Sequence, residues 1–298
     1  MRRTWWALTA VAVALVVLAS VSPPARSQGA GVLRTYTISD VTMNPFTLPQ
    51  QLATLLVIKP VFDTLTRYRP KDLQPVPGLA ASWEASEGGR IWTFKLRKGV
   101  KWHDGRPFTA HDVKFTFEGI VNPRVRSLFK APFRGMQRVE VVDDSTVRVV
   151  FEQPNVAFPI ALGYNIPIAP RHLLEGKDLN TMPEFVQRPI GTGPFRWKEY
   201  VRGSHVVLEA NPEYFEGRPK MDTLVFKILP DINTVVAQLR TGELDIGVIE
   251  PVHKKALTAV PHLNFLTTDL PSTFYIAMNN SRWQFSDKRV RKALTMAI

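Results

Sequence analysis

The chain has 298 residues, 38 Lys plus Arg against 26 Asp plus Glu, 45% hydrophobic residues and 10% aromatics, which is the composition of a folded protein of about two domains. It contains no Cys, which excludes thiolate nucleophiles, disulfides, Cys-ligated metals and a lipidated N-terminal Cys. The formal charge of +12 falls to +9 when residues 1–27, with three Arg and no acid, are set aside. The densest basic stretch, Arg90 to Arg106, alternates Trp92, Phe94 and Leu96 with Thr93, Lys95 and Arg97, the pattern of a half-buried strand with a solvated outer face rather than a nucleic-acid interface.

Met1, Arg2 and Arg3 precede an apolar run over residues 7–21 that ends at Pro23 and Pro24. The run is shorter than the roughly 20 residues a spanning helix needs, and Ala25 and Ser27 stand at signal-peptidase spacing, so 1–27 reads as a secretory signal peptide. Residues 33–38 form a first strand, followed by a loop with Asn44, Pro45 and Pro49 and a helix from Leu52 to Phe62. Prolines at 70, 75 and 77 open a new segment. In it, Gly88 and Gly89 turn into the strand around Phe94, and Thr109 starts a helix with Asp112 at N3 and Val113, Phe117 and Ile120 on one face. Asn122 and Pro123 end that helix. Val139 and Val141, a turn over Asp143 to Ser145, then Val147, Val149 and Phe151 predict a hairpin.

After residue 190 the pattern becomes longer strands separated by single helices. Val206 and Leu208 alternate with His205, Val207 and Glu209 in one strand, and Leu224, Phe226 and Ile228 mark the next. A helix from Asp231 or Asn233 stops at Gly242, and Leu244 to Ile246 form a short strand, completing a strand-helix-strand unit of an α/β sheet. Phe274 to Asn279 predict a further strand. Ser286 caps a last helix striped by Val290, Ala293, Leu294 and Ala297. Its stripe runs to Ile298 with no stop residue, as in a chain truncated at its C-terminus.

No covalent chemistry is legible. The six His residues, at 103, 111, 172, 205, 253 and 262, form no helical metal pair and no His-Glu-x-x-His, so no metal site is expected. Gly191, Thr192 and Gly193 are followed by Pro194, with Arg196 where a dinucleotide loop has its third Gly. A Gly-x-Ser-x-Gly elbow is missing, and Asp143 and Asp144 fall at a hairpin tip. The chain is therefore read as a non-enzyme with no cofactor.

One ordered set of segments is distinctive. LAASWEASEGGRIWTFKLRKGVKWHDGRPFTAHDVKFTFE at 79–118 resembles the signature of the family 5 extracytoplasmic solute-binding proteins of ATP-binding cassette importers, which bind dipeptides, oligopeptides and nickel. The resemblance continues through IGTGPFRWKEY at 190–200, LEANPEYFEGRPKMDTLVFKILPD at 208–231, LRTGELDI at 239–246, and FYIAMNN to DKRVRKALTMAI at 274–298. It implies an α/β, periplasmic-binding-protein-like two-lobed fold of type II with an extra inserted domain. Lobe I comprises 28–66 and 190–270, the inserted domain 67–189, and lobe II begins at 271 and is largely missing.

The implied function is capture of di- or oligopeptides in the periplasm by a monomer that closes about a hinge and delivers them to a membrane permease. Nickel complexes, oligosaccharides or another small solute are the alternative cargo, and an exported hydrolase is a distant alternative. Nucleic acid is not an expected partner. Seven residues on loops or strands expected to face the cleft are candidate ligand contacts. Asn44 and Leu48 follow the first strand, Arg126 and Phe129 follow the capped helix, and Tyr164 lies between Pro159 and Pro167. Tyr275 and Asn279 share a face of the strand entering the second lobe.

Overall fold

In the computed structural model, which describes residues 31–47, 52–69, 71–266 and 277–297, the chain falls into two units, 1–259 and 260–298. The expected signal peptide, Leu48 and Tyr275 lie outside the described residues, as do residues 274–276 of the strand expected at Phe274 to Asn279, whose described remainder, 277–279, is not strand. In chain order the first unit contains β1 (Val32–Thr37), α1 (Leu52–Val61), β2 (Thr66–Tyr68), β3 (Pro75–Pro77), β4 (Ala80–Ser86), β5 (Ile91–Leu96), α2 (Ala110–Val121), β6 (Met136–Asp143) and β7 (Thr146–Phe151). It continues with α3 (Phe158–Asn165), α4 (Arg171–Leu174), α5 (Pro183–Gln187), β8 (Phe195–Val201), β9 (His205–Ala210), β10 (Thr223–Ile228), α6 (Ile232–Thr241) and α7 (Pro251–Leu257).

Two four-stranded sheets organise this unit. One has the order β1-β10-β9-β8, with β1 parallel to β10 and the other pairs antiparallel. Period-two alternation decides which face of β9 is inside, because Val206 and Leu208 are buried while His205 and Val207 are half-buried and Glu209 is exposed. The other sheet is wholly antiparallel, β4-β5-β7-β6, and buries Trp92, Phe94 and Leu96 as the alternation predicts. The hairpin β6-β7 turns at Asp143, whose Oδ1 accepts hydrogen bonds from the Ser145 backbone N–H at 2.8 Å and hydroxyl at 2.9 Å. That accounts for the paired acids as turn residues. The short β2-β3 ribbon packs under α3.

Helix α2 lies on β6 and β7. Its N-terminus forms as the sequence predicts, with the Asp112 Oδ2 at N3 accepting the Thr109 N–H at 2.9 Å. Asp112 also accepts the Arg171 N–H at 3.0 Å through Oδ1, which joins the start of α2 to α4. Between the α2 face and the sheet, Phe158 occupies the centre of an aromatic cluster. Its ring centroid is 4.8 Å from Phe151, 5.4 Å from Phe133, 6.0 Å from Phe117 and 6.2 Å from Phe94, mostly edge-on as ring quadrupoles prefer.

Two further local expectations need correction. Leu244 to Ile246 is not a strand. The N–H groups of Asp245 and Ile246 both reach the same acceptor, Arg34 O, at 2.9 and 3.2 Å, and the Asp245 carboxylate accepts the Arg34 N–H at 2.8 Å. A side chain thus takes the place of a ladder carbonyl, and the segment borders β1 without extending the sheet. In the second unit, α8 (Trp283–Ser286) precedes α9 (Lys288–Met296), and the cap of α9 is Asp287, not Ser286. The Asp287 side chain accepts the Arg289 N–H at 2.8 Å, whereas the Ser286 hydroxyl donates back to Trp283 O at 2.9 Å. Val290 and Leu294 of α9 are exposed. No helix among the described residues is long and apolar enough to cross a membrane.

Candidate functional site

Three loops distant in sequence are laced together around Asn180. The loop after β1 contributes Asn44, whose Nδ2 donates to Leu179 O at 3.1 Å and Asn180 O at 3.3 Å while its Oδ1 accepts from the Phe46 and Thr47 N–H groups at 2.9 and 3.2 Å. Phe46 follows, edge-on to Phe115 at 6.1 Å. A Cβ at Gly119 would stand 2.6 Å from the Phe46 ring, so only Gly lets this loop sit on α2. The loop after α2 is fixed from the same point, since Asn180 Oδ1 accepts the Arg126 N–H at 2.8 Å and Asn180 Nδ2 donates to Arg124 O at 3.0 Å. Asp178 accepts the Asn180 backbone N–H at 3.0 Å, and this bond holds its carboxyl below the usual range.

The sequence-derived candidates therefore take different places. Asn44 is buried with its amide committed, a staple between loops, and Phe129 is buried in the core. Arg126 is exposed, held by its backbone with the side chain free to reach solvent, next to exposed Leu128. Asn44, Arg126 and Phe129 are brought into one loop cluster, organised by a residue the sequence did not single out, Asn180. The D-x-N at Asp178 to Asn180 was its visible signal, an Asx-turn motif. Tyr164 is elsewhere, exposed at the end of α3. Asn279 makes a local turn in the second unit, accepting the Ser281 N–H at 3.0 Å.

A second constellation lies where α1 leads into β2. Asp63 is buried, and its Oδ1 accepts from Arg67 Nη2 at 2.8 Å and from the Tyr214 hydroxyl at 3.1 Å, while its Oδ2 accepts from the Thr192 hydroxyl at 3.2 Å. Burial pushes the Asp63 carboxyl up, and the Arg67 charge and these donors pull against it. Arg67 also donates to Tyr214 at 2.6 Å and Glu216 at 2.8 Å. The glycines beside Thr192 allow backbone to touch backbone, because a Cβ at Gly191 would stand 1.8 Å from Val61 O and one at Gly193 would stand 2.4 Å from Pro60 O. The Gly-Thr-Gly segment is a crossing point of chain, not a phosphate loop. Among the described residues no group of His and acids is placed to hold a metal.

The Asn180 loop cluster is held together mainly by hydrogen bonds between side-chain amides and backbone. It offers rigidly held loops with exposed Arg and apolar side chains, an arrangement suited to contacting a ligand. The model of the bacterial extracellular solute-binding proteins, family 5 (middle), matches residues 74–298. The chain belongs to this family. The oligopeptide-binding protein AppA of Bacillus subtilis is 34% identical over 223 residues, which are 74% of this chain and 41% of AppA. Di/tripeptide-binding protein 2 of Pseudomonas aeruginosa is 32% identical over 261 residues, 80% of this chain and 48% of the relative.

The solved structure of AppA in complex with a nonapeptide superposes with a TM-score of 0.83 at 31% identity, over 90% of this chain and 54% of AppA. NikZ from Campylobacter jejuni in complex with Ni(L-His) gives 0.76 at 30% identity, over 90% and 53%. The fold is thus the α/β fold of these binding proteins, and the chain spans about half the length of the relatives it matches.

Proposed function

We propose that this chain is part of the substrate-binding component of an ATP-binding cassette importer and that its cargo is peptide. The observation that supports this best is the likeness to peptide-bound AppA, with a TM-score of 0.83 over 90% of the chain. In this reading residues 28–66 and 190–270 form one lobe, 67–189 an inserted domain, and the second lobe begins at 271. Peptide enters between lobes and stabilises the closed form, and that form docks on a membrane permease. Main-chain hydrogen bonds hold the peptide as an added strand while water-filled pockets tolerate varied side chains. The work is capture, with no bond made or broken, by a monomer in the periplasm after removal of residues 1–27. Arg126 and Leu128, exposed on the Asn180 loop cluster, are the contacts this half contributes.

The NikZ likeness supports a second cargo, a small metal chelate such as nickel bound by histidine. One experiment separates the two. The purified protein, together with any chain that follows Ile298 in its gene, is melted against di-, tri- and nonapeptides and against Ni(L-His). A ligand at 100 times its Kd adds about 2.7 kcal/mol of stability and raises the midpoint. A rise confined to peptides supports the reading, a rise with Ni(L-His) alone replaces the cargo, and no rise with any of them overturns capture of these solutes.

A further inference from the structure

A pocket of about 300 Å³ opens between α1, β2 and α3, lined by Ile58, Lys59, Phe62, Tyr68, Gly163 and Tyr164, with Asp63 and Arg67 at one side. That is room for about ten waters at liquid density, or a small organic molecule. Its shape follows from one close approach. A Cβ at Gly163 would stand 2.8 Å from the Arg67 carbonyl carbon, so Gly163 lets α3 press on β2 and brings Tyr164 beside Tyr68, ring centroids 6.2 Å apart and planes tilted by 31°. Two rings at this separation leave no slot between them. They present one aromatic wall, which a ligand ring covers from the side.

The polar groups around the pocket divide into spent and unspent. Arg67 is spent on Asp63, Tyr214 and Glu216, and Asp63 on Arg67, Tyr214 and Thr192. Lys59 is exposed, its ammonium 5.6 Å from the Tyr68 ring centroid, and no carboxylate among the described residues pairs with it. The hydroxyls of Tyr68 and Tyr164 likewise have no hydrogen-bond partner among those residues. The pocket therefore offers an apolar and aromatic wall, three unused donors and one uncompensated positive charge. The complementary ligand is an organic acid with a flat or branched apolar body.

We propose that this pocket is a binding site for small aromatic or branched-chain carboxylates, with the ring against Tyr68 and Tyr164 and the carboxylate on Lys59. It is separate from the Asn180 loop cluster, and it does not depend on which cargo that cluster contacts. The probes are N-acetyl-L-phenylalanine, which carries the carboxylate, and N-acetyl-L-phenylalaninamide, which does not. Binding of each is measured by saturation-transfer NMR and calorimetry on the whole protein. The acid is expected to bind about fivefold more tightly than the amide, as one partly exposed ion pair allows. Lys59→Met keeps the stem and removes the charge, and it should abolish that difference. Tyr164→Ser, at an exposed position, should weaken both probes severalfold while leaving the melting temperature unchanged. Equal binding of acid and amide, binding indifferent to both substitutions, or no saturable binding up to about 10 mM overturns the proposal. None of these results touches the peptide reading, whose melting experiment uses different ligands.

Discussion

His103 grips Gly193 through a hydrogen bond of 2.9 Å from Nε2 to the glycine carbonyl, while its Nδ1 accepts the Gly191 N–H at 3.2 Å. The second bond fixes the first: Nδ1 faces a donor and so carries no proton, and the ring is the neutral tautomer with the proton on Nε2. A protonated ring would set an Nδ1–H against the Gly191 N–H. Burial pushes the His103 pKa down to about 4, with the Arg196 charge adding to that and the Gly193 bond and Asp104 opposing it. A base depressed in the folded state binds protons more readily when unfolded. Its contribution to stability is complete above the unfolded value near 6.5 and is lost as pH falls toward 4. The full loss is roughly 3 kcal/mol. Urea midpoints followed from pH 7.5 to 4 should fall more steeply for the native protein than for His103→Gln, whose amide offers one donor and one acceptor and does not titrate. Parallel profiles would refute the assignment.

The same junction predicts an asymmetry among glycines. Gly191→Ala drives a methyl into Val61 O, backbone against backbone with no flexible side chain to yield, and should cost several kcal/mol, about 3 to 5. Gly99 has φ +76° but open space around it. Gly99→Ala therefore meets only left-handed backbone strain and should cost about 1 kcal/mol. Denaturant unfolding of the two variants checks the order.

What the sequence made legible was local. Thr109 with Asp112, the turn at Asp143, and the alternations around Phe94 and Val206 each involve residues a few positions apart, where periodicity and capping chemistry act. Asn44 was readable as a loop residue but not as a staple, because the carbonyls it meets lie 135 and 136 residues further along. Gly191 and Gly193 announced a close approach without saying to what. The strand expected at Leu244 failed because Asp245 puts a carboxylate where a ladder needs a carbonyl. The family resemblance rested on such scaffold residues, Trp102, Gly99 and Thr109 among them, which is why it carried the fold further than the ligand.

The Asp63 network predicts that its two charges are unequal. Arg67 is partly exposed and has Glu216 in reserve, whereas Asp63 is nearly inaccessible and has only hydroxyls besides Arg67. Arg67→Met should therefore cost about 3 to 5 kcal/mol at pH 7, the cost of an uncompensated buried charge, and Asp63→Asn clearly less. Burial already holds the Asp63 carboxyl above its unfolded value, and without the Arg67 charge it rises further, so the folded variant takes up its proton first. The Arg67→Met defect should shrink as pH falls from 7 to 5. A defect independent of pH, or the reverse order of the two variants, counts against the network as drawn.

Phe158 tests how the α2 layer is held on its sheet. It contacts rings from β5, α2, β7 and the segment before β6, so its truncation removes a ring that touches all four. Phe158→Ala should cost about 3 to 5 kcal/mol, since the rings around it are themselves fully packed and cannot collapse into the space. Phe158→Leu keeps most of the volume but loses the edge-on ring contacts, and should cost about 1 to 2 kcal/mol. Near-ultraviolet circular dichroism distinguishes a local gap from a loosened layer. A gap preserves the aromatic signal with a lower denaturant midpoint, whereas a loosened layer loses the signal before the backbone unfolds. Because Pro159, the next residue, accepts the Thr66 hydroxyl's hydrogen bond, loosening at Phe158 should also spread into β2 and raise amide exchange there.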